Sequence, residues 1–294
     1  MRAAAPLALL FGVSILFECA AAAPDPVPGS WLRNVPVPYR IKGALHHGSL
    51  NVYFPKRYLK GSGVRTLVLL HGYRQVPGDW ETKTPVARYA DEHGFVLVCP
   101  AMATTLYESD YYPETVNRWA PMPGSRFVTE VLLPFVRERY GIARKRNLTG
   151  IYGISTGARG AILLAARHGD LFAAAAGLSG DYHASSMRRD RILTSVFGRY
   201  EEHRERWEKE VNILAMAERL RKMPLFLGHG TRDGVVPPQQ TELLARRLDE
   251  LRGKGRGYEC VVEREKSEGA GHDWRYWGGL TPDVFAFFDR YLRR

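Results

Sequence analysis

At residue 155 the periodicity of the chain changes. Asn147 to Ile154 is a short apolar run, Ala158 to Ala166 is a helical run of small residues, and between them stands Gly153-Ile154-Ser155-Thr156-Gly157. A strand that passes into a helix through a serine with glycine at both second neighbours has the pattern of a nucleophile elbow, which holds the serine oxygen at the strand end above the helix N-terminus. Such a turn strains the serine backbone and brings neighbouring chains close, so only glycine-sized residues fit on either side. It also puts the backbone N–H of Thr156 where a developing oxyanion would sit. In a chain with 29 glycines the pentapeptide alone says little. Its strand-to-helix setting makes it informative.

That setting recurs along the chain. Strand-like runs lie at Arg40 to Ile41, Ser49 to Phe54, Arg65 to Leu70, Phe95 to Cys99, Leu148 to Ile154, Ala173 to Leu178, Pro224 to Gly228 and Tyr258 to Glu263. Helical patterns fall between many of them, at Thr84 to Glu92, Phe127 to Tyr140, Ala158 to His168, Gln239 to Arg252 and Pro282 to Arg293. Alternating strands and helices predict an α/β fold, a mostly parallel sheet of about eight strands covered by helices on both faces. Strands buried on both faces are near-continuous apolar runs, and Thr66 to Leu70 is one. Residues 181–212 break the rhythm with charged, partly helical sequence: a small lid, an insertion or a plain surface excursion.

Residues 1–23 have another character. Arg2 precedes an apolar run from Pro6 to Phe17, and Ala20 to Ala23 supply small residues before Pro24-Asp25-Pro26. This order predicts a secretory signal peptide, too short in its apolar part for stable membrane insertion, with 24–294 as one catalytic domain and a secreted or periplasmic location. Glu18 immediately before Cys19 argues against lipid attachment there. The net charge of +11 favours anionic surfaces or polyanionic substrates through long-range attraction. The bases are dispersed and accompany no nucleic-acid-binding module, so nucleic acid is not an expected partner. No His, Cys, Asp or Glu group has metal-ligand spacing; His46-His47 is a bare pair at a loop or strand end.

A serine hydroxyl needs a base, and the base needs an acid to hold its tautomer. After the run Pro224 to Gly228 comes His229-Gly230-Thr231-Arg232-Asp233, which places Asp233 in a turn at a strand's C-terminal end; after the last strand comes Gly269-Ala270-Gly271-His272-Asp273-Trp274. Ser155, Asp233 and His272 thus follow the serine, acid, histidine order of α/β-hydrolases, and residues at the carboxyl ends of parallel strands converge above the sheet. Asp181 is the rival acid, Asp233 has the alternative of capping the helix near Pro238, and Asp273 is expected to bond backbone. The second oxyanion donor is expected in His71-Gly72-Tyr73-Arg74, from Tyr73 N–H. Trp80 and Trp119 are expected near the site as substrate-binding aromatics, whereas Trp274 and Trp277 fit the core better.

Five segments carry a family resemblance: Tyr89 to Val96, Val131 to Val136, Gly153 to Gly157, Arg167 to Ala174 and Gly271-His272-Asp273-Trp274-Arg275-Tyr276-Trp277. From about Gly48 to its C-terminus the chain resembles the "putative esterase" branch of the α/β-hydrolases, with S-formylglutathione hydrolase, tributyrin and feruloyl esterases and the antigen 85 mycolyltransferases. The resemblance implies Ser155, Asp233 and His272 as triad, Tyr73 and Thr156 as oxyanion amides and no cofactor. Thr156-Gly157-Ala158 departs from the family's Met-Gly-Gly. The family's strand order places the Cys99 and Cys260 strands about five spacings apart, so both are expected as free thiols. The function so implied is a serine esterase acting through an acyl-enzyme on a small-molecule or carbohydrate ester. Acyl transfer to another alcohol, and ligand binding without catalysis on the same scaffold, stay open at this level.

Overall fold

The computed structural model describes residues 13–15, 23–61, 63–253, 255 and 262–293. The rest of the expected signal peptide, residues 1–12 and 16–22, lies outside the described residues, as does Cys260. In chain order the strands are β1 (Val13–Ile15), β2 (Ser30–Ile41), β3 (Ala44–Phe54), β4 (Arg65–Leu70), β5 (Phe95–Pro100), β6 (Thr149–Ile154), β7 (Ala174–Leu178), β8 (Leu225–Gly230) and β9 (Val262–Ser267). They form one sheet in the order β1-β2-β3-β5-β4-β6-β7-β8-β9, antiparallel from β1 to β5 and parallel from β5 to β9. The main helices are α1 (Gly78–Lys83), α2 (Val86–His93), α3 (residues 124–140, π-helical over Phe127–Leu132), α4 (Thr156–Arg167), α5 (Arg191–Phe197), α6 (Gln239–Gly253), α7 (Trp274–Gly279) and α8 (Thr281–Tyr291). This is the α/β-hydrolase fold.

The apolar strands split by parity, as side chains alternate across a sheet. Val68, Leu70, Val96 and Val98 join a core with α3, α4 and α6, whereas Leu67, Leu69, Phe95, Leu97 and Cys99 join a second with α2, α7 and α8. Cys99 is a free, fully buried thiol, and its strand stands five positions from β9 in the sheet.

The first hairpin departs from expectation. Two short runs near 40 and 50 are in fact the paired 12- and 11-residue strands β2 and β3, with His46 opposite Tyr39 and His47 opposite Pro38 inside the ladder. Their turn, Lys42-Gly43, has φ of 49° and 83°, the two-residue geometry that matches strand twist. Pro36 and Pro38 disguise β2, because proline removes ladder donors; among the described residues the strand beyond β2 is β1, which pairs with Tyr39, Arg40 and Ile41 and not with either proline.

Between β7 and β8 the chain leaves the sheet for a third apolar cluster. Ala184, Leu193, Val196, Phe197, Trp207 and Val211 pack with Leu106, and half-buried Tyr73 rests against them. Asp190 starts α5 by accepting from Ile192 and Leu193 N–H at 2.9 and 2.8 Å.

Candidate active site

Ser155 stands between β6 and α4 with φ 53° and ψ −126°, a strained conformation for a residue with a side chain. Both flanking glycines are dictated by contact. A Cβ on Gly153 would lie 2.0 Å from Gly157 O, and one on Gly157 would lie 2.0 Å from Leu70 O. The closeness of the elbow's own backbone at Gly153, and of the end of β4 at Gly157, therefore leaves no room for a side chain at either position.

Two loops deliver the other groups. The β8 loop and the β9 loop are joined by Thr231 N–H to Ser267 O at 3.0 Å, Arg232 N–H to Ala270 O at 2.9 Å and Gly269 N–H to Thr231 Oγ1 at 2.8 Å. This pairing brings His272 Nδ1 to 2.7 Å from Asp233 Oδ2 and His272 Nε2 to 2.9 Å from Ser155 Oγ. Trp277 supports the imidazole edge-on at 4.9 Å. Asp273 turns away and caps α7, accepting from Tyr276 N–H at 2.9 Å.

Asp233 is the most heavily hydrogen-bonded carboxylate of the site. Its Oδ1 accepts from Val235 and Val236 N–H, both at 2.9 Å, so it closes its own turn and does not cap α6. His229, buried four residues earlier on β8, reaches Oδ2 with Nε2 at 3.2 Å. That nitrogen also lies 2.9 Å from Val236 O, so it faces two acceptors and must carry the hydrogen; Nδ1 then accepts from Thr241 Oγ1 at 2.8 Å. Burial pushes the Asp233 carboxyl up, but hydrogen bonds from His229, His272 and Val236 outweigh it and hold the group well below the usual carboxylate range. Asp181, the rival acid, is committed elsewhere: it pairs with fully buried Arg159 of α4 at 2.9 Å.

Thr156, at the first position of α4, has an N–H that the helix cannot satisfy. Tyr73 N–H likewise has no hydrogen-bond partner among the described residues. The tryptophans divide. Trp80 is wholly buried, tilted against Tyr152 at 5.0 Å and edge-on to Trp274 at 5.5 Å, so its expected substrate contact is corrected: α1 turns the ring into the core beneath the sheet. Trp119 is half-buried and packs on Phe127, part of the first core, rather than on a triad residue. Trp277 is a buried core residue, and half-buried Trp274 packs against it edge-on at 5.4 Å. Sequence reasoning missed His229, whose signal was a histidine at a strand end four residues before an acid.

The "Putative esterase" family matches residues 46–287 of this chain. An acetyl esterase of Caldicellulosiruptor saccharolyticus is 24% identical, over 77% of this chain and 84% of that protein. Among solved structures, Staphylococcus aureus fluorophosphonate-binding serine hydrolase F superposes with a TM-score of 0.69 at 19% identity, over 90% of this chain and 99% of that one. An S-formylglutathione hydrolase from Agrobacterium tumefaciens gives 0.68 at 16% identity, over 84% and 91%. The chain belongs to the "Putative esterase" family of α/β-hydrolases and is a serine esterase.

Proposed function

We propose that this protein is a secreted carboxylic-ester hydrolase that works through an acyl-enzyme on a small or sugar-linked ester. Ser155 Oγ attacks the ester carbonyl as His272 Nε2 takes its proton, while Asp233 orients the ring and offsets the charge that develops on it. The tetrahedral oxygen is received by the N–H groups of Tyr73 and Thr156. His272 returns the proton to the departing alcohol, and the same ring then activates the water that releases the acid.

The observation that carries this reading is the continuous relay from Ser155 Oγ to His272 at 2.9 Å and on to Asp233 at 2.7 Å. The acetyl esterase relative supports a small acyl group. The charged start, apolar run and alanine stretch of residues 1–23 support export. The test is a p-nitrophenyl ester chain-length series beside acetylated and feruloylated sugars, with and without an added sugar acceptor. Ser155→Ala should lose nearly all turnover, and a fluorophosphonate should label Ser155 in the folded wild type. Undiminished turnover in the alanine variant would overturn the assignment, and acyl sugar as the main product would reassign the reaction to transfer. N-terminal sequencing of exported protein tests the leader: an intact Met1 refutes cleavage.

A further inference from the structure

The loop after β4 singles out a side chain to which no role has yet been given, Gln75. Its Oε1 accepts from Gly72 N–H at 2.8 Å, and its own backbone N–H donates back to Gly72 O at 3.2 Å, closing a small ring. Arg74, left-handed at φ 58°, gives its N–H to Ala103 O at 2.9 Å. Of the four N–H groups from Gly72 to Gln75, Tyr73's alone has no partner among the described residues.

The ring sits against the nucleophile. A Cβ built on Gly72 would stand 3.0 Å from Ser155 Cβ and 3.0 Å from Gln75 Oε1, so serine, glycine and carboxamide meet with no gap between them. The other side of the loop is anchored too. His71 Nε2 accepts from Met102 N–H at 2.9 Å, which leaves Nδ1–H to donate to Gly72 O at 2.8 Å. Tyr107 Oη donates to His71 O at 2.8 Å. Among the described residues, Gln75 is the one side chain that accepts a backbone N–H from the stretch Gly72 to Gln75.

We propose that Gln75 is the positioning residue of the oxyanion loop: by occupying Gly72 N–H and bracing the turn, it leaves Tyr73 N–H as the one amide of the loop aimed at the acyl oxygen. A Gly72 N–H left bare would recruit water or compete for the developing charge, and the turn would lose the bond that sets its curvature. This deepens the esterase reading above and rests on it. Electrostatic stabilisation of this kind depends on donors fixed before the charge appears.

The experiment compares wild type with Gln75→Met, similar in length but without the acceptor, and Gln75→Glu, which keeps one. For p-nitrophenyl acetate the methionine variant should lose about 100-fold in kcat, the usual consequence of an ångström-scale misplacement. KM should move less than about threefold, and affinity for a trifluoromethyl ketone, which mimics the tetrahedral oxygen, should fall in step with kcat/KM. Amide exchange at Gly72 supplies a readout independent of turnover: about tenfold or more faster in Gln75→Met, and still protected in Gln75→Glu. Gln75→Ala repeats both measurements if the methionine variant does not fold. A kcat within about threefold of wild type, a loss confined to KM with ketone affinity intact, or unchanged Gly72 exchange would each overturn the proposal. If the wild type shows no Ser155-dependent turnover, the esterase reading fails, and Gly72 exchange still decides whether Gln75 holds the loop.

Discussion

Replacing Asp233 by Asn keeps the shape of the site and removes one acceptor from a place where every neighbour is a donor. Val235 and Val236 offer two N–H groups to Oδ1, while His272 Nδ1 and His229 Nε2 approach Oδ2 at 2.7 and 3.2 Å. An amide has oxygen on one side only. With that oxygen toward the turn, its NH2 meets the His229 N–H, fixed by Val236 O at 2.9 Å, and forces His272 into the tautomer whose Nε2–H points at Ser155. Turned round, the NH2 meets two backbone N–H groups instead. The wrong tautomer lowers kcat by about 10⁴ in a serine protease, equivalent to roughly 5 kcal/mol of transition-state stabilisation. The donor left facing another donor in a buried site costs about 1–3 kcal/mol of folding stability. Steady-state kinetics should therefore show kcat down about 10⁴ with KM little changed, and urea denaturation should show a loss of that size. An Asp233→Asn variant with kcat within about tenfold of wild type would refute the argument, since the relay would then not need the carboxylate.

Other outcomes follow from the same geometry. Because the folded Asp233 pKa lies below its unfolded value of about 3.9, its contribution to stability is complete above that pH and is lost as pH falls toward the folded value. Glu108 and Asp181, raised by burial, slope the other way, so the test is the difference between wild type and Asp233→Asn in urea midpoint from neutral pH into acid. An acid-independent difference would contradict the linkage. Arg159→Met leaves buried Asp181 without its partner and should destabilise by about 3–5 kcal/mol, with part recovered when Asp181→Asn is added; no recovery would show that packing against Phe197, 5.3 Å from the guanidinium, dominates. Trp80→Ala should cost about 3–5 kcal/mol of stability in denaturation while KM for a small ester stays unchanged; a large rise in KM at unchanged stability would restore the ring to the substrate wall.

Much of this protein was legible in its sequence wherever local pattern reports local structure. Ser155 could be placed because a strand period ends and a helix period begins around it, and Gly153 and Gly157 are required by contacts within that one turn and with the neighbouring β4. Asp233 and His272 followed from strand ends, since a parallel sheet collects its carboxyl-end loops above one edge. The hairpin of β2 and β3 was only partly visible, because Pro36 and Pro38 break the strand pattern where the sheet tolerates them.

What side chains meet across the loops was decided by the tertiary structure alone. His229 and Asp233 lie four residues apart, yet their contact depends on how the β8 loop folds over Thr241 of α6. Trp80, beside the oxyanion loop in sequence, is carried by α1 into the core against Tyr152 and Trp274, both far along the chain. Periodicity records which face of an element is apolar; it does not record which elements become neighbours. The sequence by itself therefore determined the nucleophile's turn and the order of the triad, while the packing of loops and helices over the sheet decided which donors surround Asp233, which amide of the loop stays free, and which aromatic rings are turned away from the site.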